Sequence, residues 1–170
     1  MLQHYRMFAA YNAWANAFVY DEAAELSDDE RKRDLGAFFR SVHATLNHVL
    51  YADRIWMTRF AGADTGPVKL DTILHDDFAA LRDDREREDL RIIAFVDGMD
   101  AVRLEGTFSY TRGTPPKDYT DRYQTTLAHF FNHQTHHRGQ VHAMLTMLGR
   151  PSPAIDLLYF LRSEDGRRFA

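Results

Sequence analysis

Cysteine is absent from the 170 residues. That excludes disulfides, thiolate zinc sites and cysteine nucleophiles, so any transition metal here must be held by imidazole or carboxylate. No apolar run approaches the ~20 residues needed to cross a bilayer, and Met1-Leu2-Gln3-His4-Tyr5-Arg6 carries no signal-peptide pattern. The chain is therefore expected in the cytoplasm, with no membrane partner. Charge of one sign is also lacking. The formal net charge is -4, and acids and bases are interleaved in Glu30-Arg31-Lys32-Arg33-Asp34 and Asp83-Asp84-Arg85-Glu86-Arg87-Glu88. This excludes the one-signed basic face of a nucleic-acid binder. The H-E-x-x-H of zinc proteases does not occur, the paired E-x-x-H segments of ferritin-like di-iron proteins are missing, and no internal repeat is visible.

What is present is the composition of an ordinary globule, 45% hydrophobic and 27% charged, at a length that suits a single domain spanning residues 1–170. Tyr5, Phe8, Tyr11, Ala15 and Phe18 recur at threes and fours, predicting an amphipathic helix that ends near Leu26. Ser27-Asp28-Asp29-Glu30 reads as a cap or turn. A second helix is predicted from about Leu35 to Phe60, broken by Ala61-Gly62-Ala63-Asp64-Thr65-Gly66-Pro67, and a third from about Thr72 to Val96. β-Branched and aromatic residues around Gly113-Thr114-Pro115-Pro116 predict a short β-hairpin or extended crossover. A fourth long helix follows from Thr125 to Leu148, and a short terminal one from Pro153 to Leu161. The expected fold is all-α: a four-helix bundle with a crossover connection.

The informative stretch runs from His129 to His142, where five of the nine histidines fall within fourteen residues. Leu127, Phe130, Val141, Met144, Leu145 and Leu148 define an inward stripe. His137 lies inside it and His133 close beside it, one turn apart on the same face. His129 and His136 flank the stripe, and His142 points largely away. Two inward imidazoles could be hydrogen-bonded core residues. Each needs a partner if buried, and a metal is the simplest one that satisfies both. A third donor must come from another helix. The second offers His43, His48 and Asp53, and periodicity does not choose among them.

The chain resembles the DinB-like family. The resemblance rests on Tyr11-Asn12-Ala13-Trp14-Ala15-Asn16, on Leu46-Asn47-His48 with Ala52-Asp53-Arg54-Ile55-Trp56, and on His129-Phe130-Phe131-Asn132-His133-Gln134-Thr135-His136-His137-Arg138-Gly139-Gln140. It implies a four-helix bundle, commonly a homodimer, with a divalent metal on three histidines: one from the second helix and a pair from the fourth. On this sequence those are His48, His133 and His137. Imidazole donors suit zinc, nickel, iron and copper; zinc or nickel is expected, with iron as another option. The resemblance further implies expression in a stress or DNA-damage response. Relatives that transfer or isomerise with the help of a low-molecular-weight thiol imply a thiol or other small-molecule substrate. Three imidazoles leave a coordination position free, which permits thiol transfer, hydrolysis or isomerisation; a metal that only stiffens a non-enzymatic bundle is the contrasting reading. Arg138 is read as pairing with an acid near a helix end, and Gln140 as a cap or bridge. Asp53 is read as a carboxylate ligand, an acceptor behind a ligand imidazole, or an exposed salt bridge. Trp14, Trp56, Phe130 and Phe131 could line a substrate pocket, but at helical spacing they are read as core or dimer surface and left out of the site.

Overall fold

The computed structural model describes residues 1–151 and 153–170. Its main elements are four long helices: α1 (Leu2–Ala24), α3 (Val42–Phe60), α4 (Phe78–Asp97) and α6 (Tyr123–Met147). Between them stand the short helices α2 (Asp28–Lys32) and α5 (Ala101–Glu105) and one antiparallel hairpin, β1 (Thr107–Arg112) with β2 (Lys117–Arg122). Helix α7 (Leu157–Arg162) and a 3₁₀ turn (Arg167–Phe169) follow α6. No helix among the described residues is long and apolar enough to cross a membrane.

Helix starts differ from the sequence reading where a cap intervenes. The Ser27 turn is a helix in its own right, closed by a capping box in which Ser27 N–H donates to Glu30 and Glu30 N–H donates to the Ser27 hydroxyl. Helix α3 begins at Val42 rather than near Leu35. Gly36 and Arg40 adopt positive φ in the turn before it, and the Ser41 hydroxyl accepts from Ala44 N–H. Helix α4 begins at Phe78 rather than Thr72, because the Asp77 carboxylate accepts from Ala80 N–H at 2.8 Å. The terminal helix starts at Leu157, four residues later than expected. Helix α5, capped by Asp100, was not foreseen. The alternative left open before the fourth long helix resolves as the hairpin: Phe108 and Tyr110 alternate inward with Thr107 and Ser109 outward.

Two apolar clusters hold the long helices. One contains Ala9, Phe60, Ile92, Val96, Leu127 and Phe130; the other contains Val19, Leu46, Leu50, Leu81, Val141 and Leu145. Fully burying such side chains contributes roughly 1.5–3 kcal/mol each. Phe60 shows how the first cluster locks the hairpin in place, since its ring meets those of Phe108, Tyr123 and Phe130 at centroid distances of 5.0–6.1 Å. Residues from both clusters occur on every long helix, and their order gives the chain directions. Helices α1 and α6 run from the first cluster to the second, whereas α3 and α4 both run from the second to the first. Segment 61–77 must therefore carry the chain back along the length of α3. This crossover is pinned by Asn47 of α3, whose side-chain oxygen accepts from Leu74 N–H and His75 N–H while its amide donates to His75 O.

Candidate metal centre

The crossover and the two helices α3 and α6 together build the site. His48 projects from α3, and His133 and His137 from successive turns of α6. The potential ligand atoms of the three all lie within 4.8 Å of one another. His133 Nε2 and His137 Nε2 are 3.1 Å apart. Two nitrogens bound at ~2.05 Å to a tetrahedral ion stand about 3.3 Å apart, so this spacing suits a shared cation. His48 Nδ1–H donates to the Leu70 carbonyl of the crossover at 2.9 Å, and His137 Nδ1–H donates to Gln140 Oε1 at 2.7 Å. Each bond fixes a tautomer and leaves a lone pair on Nε2, which in His137 faces His133 Nε2. Two such lone pairs facing each other repel unless a proton or a metal lies between them.

Charge is disfavoured here. Burial, reinforced by the imidazoles of His137 and His48, pushes His133 down to about 3; burial takes His137 down to about 4, and it lowers His48 as well. Near pH 7 all three rings are neutral, the state in which imidazole ligates a metal. One side of the cluster is closed by Phe39, which stacks on His48 at 3.8 Å and meets His137 edge-on at 5.6 Å. On the other side His48 and His133 form the wall of a cavity of about 400 Å³, completed by Trp56, Arg59, the crossover and the hairpin tip.

The remaining sequence candidates fall outside the cluster. His43 Nε2 contacts the His75 carbonyl, and His142 Nε2 the Pro153 carbonyl. His129 lines the cavity beside Trp56, and His136 is exposed on the far side of His137. Asp53 is neither a ligand nor an exposed ion pair. It is buried and accepts from Arg85 at 2.5 Å. Among the described residues Arg138 pairs with no acid directly, and it sits in mid-helix: its guanidinium donates to Asn12 and Asn16 of α1, whose amides donate to Asp89 of α4. Gln140 bridges, as read, between His137 and His136. Of the four aromatics left out of the site, Trp56 belongs to the cavity wall, Phe130 and Phe131 to the core, and Trp14 to the contact with Phe160.

A crossover was expected, but its part in the site, that of Phe39 and those of the two arginines of the cavity, Arg59 and Arg112, were not. One signal was available: His48, Ala52, Ile55 and Arg59 recur at fours and threes along one face of α3.

The class this defines is a mostly helical protein in which three imidazoles from two helices form a group that could hold a metal ion. The family it defines is shown by sequence: the chain belongs to the DinB family, whose model matches residues 1–168. It is similar to Protein DinB of Bacillus subtilis (strain 168), with 26% identity over 162 residues, covering 89% of this chain and 90% of that protein.

Proposed function

We propose that this protein is a metal-dependent enzyme in which His48, His133 and His137 hold one divalent transition metal at the inner end of the cavity. The four long helices then form the four-helix bundle of the family. One observation carries the reading: three neutral imidazoles, two with fixed tautomers, converge beside a cavity large enough for a small molecule. A divalent ion on three imidazoles supplies Lewis acidity toward a thiol, water or carbonyl. The protein's own contribution is to orient the rings through Leu70 and Gln140, to keep them uncharged by burial, and to screen one face with Phe39.

The substrate reading is a low-molecular-weight thiol acting with an electrophile, or water in a hydrolysis. Zinc or nickel is the proposed metal. A purely structural metal would call for a fourth protein donor, whereas the convergent group among the described residues contains three. Elemental analysis of the purified protein beside a His133→Ala, His137→Ala double variant tests the centre. About one equivalent of metal in the parent and none in the variant is the expected result; equal content in both refutes it. Lack of turnover by the metal-loaded protein with a panel of thiols and electrophiles would remove the transferase reading. Homodimerisation belongs to the same proposal, and sedimentation velocity should show two chains of 19.8 kDa each.

A further inference from the structure

The outer end of the cavity carries two cations without counter-ions among the described residues. Arg59 is 6% exposed, yet it forms no ion pair or hydrogen bond among the described residues, and its Nε is buried without a partner. Its guanidinium lies instead over the faces of Trp56, one turn earlier on α3, and Tyr110 of β1, at 4.8 and 4.9 Å. The strand alternation that turns Phe108 and Tyr110 inward puts Arg112 on the same face. Arg112 is also without an acidic partner among the described residues, and it lines the same cavity. The nearby acids of the hairpin are already engaged, Asp121 by the Tyr110 hydroxyl at 2.8 Å and Asp118 by Thr111 at 2.7 Å. Elsewhere in the molecule Arg54, Arg82, Arg85, Arg91 and Arg150 each face a carboxylate.

A buried guanidinium without an anion is costly. Burial disfavours the charge on Arg59, and the charge of Arg112, itself exposed, disfavours it further. The planar fork of arginine matches a carboxylate in two parallel hydrogen bonds. The walls between the arginines and the histidines are apolar: Ile55, Trp56, Val68 and Leu70. We propose that Arg59 and Arg112 are the anion-recognition end of this cavity, which makes the substrate class a small organic carboxylate with an apolar body. Its carboxylate sits on the two guanidinium groups, its body lies along Trp56 and Leu70, and its other end faces His48 and His133. Only the placement of that reacting end rests on the metal-centre reading; the carboxylate contact does not.

The test uses the full chain freed of metal with a chelator, so that only the arginines can hold an anion. Calorimetric titration compares 3-phenylpropanoate with its neutral amide. The carboxylate is expected to bind at least about tenfold more tightly, the scale of one charge-assisted hydrogen-bond pair. Arg112→Gln, at an exposed position, should weaken the carboxylate about tenfold and leave the amide unchanged. Arg59→Lys, which keeps the charge but loses the fork, should weaken it as well. Equal affinity for acid and amide, no binding of either, or carboxylate binding indifferent to both substitutions would overturn the proposal. Metal content measured on the same preparations keeps the two readings apart: a parent protein that takes up no metal fails the metal centre while the titration still decides the arginines.

Discussion

Two groups of polar side chains lie in the interior, and they are completed in opposite ways. Midway along the helices, Arg85 contacts Asp53 at 2.5 Å and Asp89 at 2.9 Å, Asn12 and Asn16 donate to Asp89, and Arg138 donates to Asn12. All four long helices contribute, the two cations are matched by two carboxylates, and the residues lie between the two apolar clusters on each helix. That network answers its own charges. The histidine cluster has no charges to answer, and its Nε2 atoms converge beside a cavity. The network's ion pairs hold the helices together, although Asp53 Oδ1, Arg85 Nε and Arg138 Nε have no hydrogen-bond partner among the described residues, whereas convergent neutral imidazoles beside a cavity can take up a ligand from outside.

Four measurements would break or sharpen that contrast. The largest effect is expected in the ion network, where Arg85→Ala strands two buried carboxylates and should lower unfolding stability by about 3–5 kcal/mol in denaturant titration. In the histidine cluster, metal at a hundredfold excess over its Kd should stabilise the parent by about 2.7 kcal/mol, and the His133→Ala, His137→Ala variant not at all. An equal gain in both proteins would place the metal elsewhere. Gln140→Leu removes the acceptor that orients His137 and should weaken metal binding 10–100-fold, about 1.4–2.7 kcal/mol, in a competition assay with a chelator.

The fourth measurement is pH dependence. His133 and His137 are depressed in the folded protein, to about 3 and about 4, from an ordinary 6.5. As pH falls below 6.5 the unfolded chain takes up protons that the folded rings refuse. Their stability contribution is thus complete above 6.5 and is lost as pH falls toward their folded values, at no more than about 1.4 kcal/mol per pH unit for each ring and less for partial solvent contact. Asp53 acts with the opposite sign, because burial raises its carboxyl against the pull of Arg85. It does so equally in both proteins. The metal-free parent should therefore lose more stability than the double variant between pH 7 and pH 5.

Much of the fold was legible because its signals are local. Apolar residues at threes and fours gave all four long helices, and Ser27 through Glu30 announced a cap. Their starts were misjudged where the deciding hydrogen bond is a single side chain, Ser41 or Asp77, set in a polar stretch that periodicity does not reach. Asp53 could not be assigned from α3 alone, since its partner Arg85 is thirty-two positions away on α4. Trp56 and Arg59 share a face of α3 with His48, but whether that face meets core or cavity depends on where the crossover lies.

From the residue order alone follow the helices, the absence of thiol ligands, and the pairing of His133 with His137, since four residues make one turn of an α-helix whatever surrounds it. Packing alone decided the rest. The crossover returns the chain past His48 and orients its ring through the Leu70 carbonyl; the hairpin brings Arg112 to the cavity that Arg59 also lines. The first of those contacts joins residues 22 positions apart, and the second joins a helix to a hairpin more than two elements later. They arise from the burial of two apolar clusters shared by four helices, which no local rule encodes.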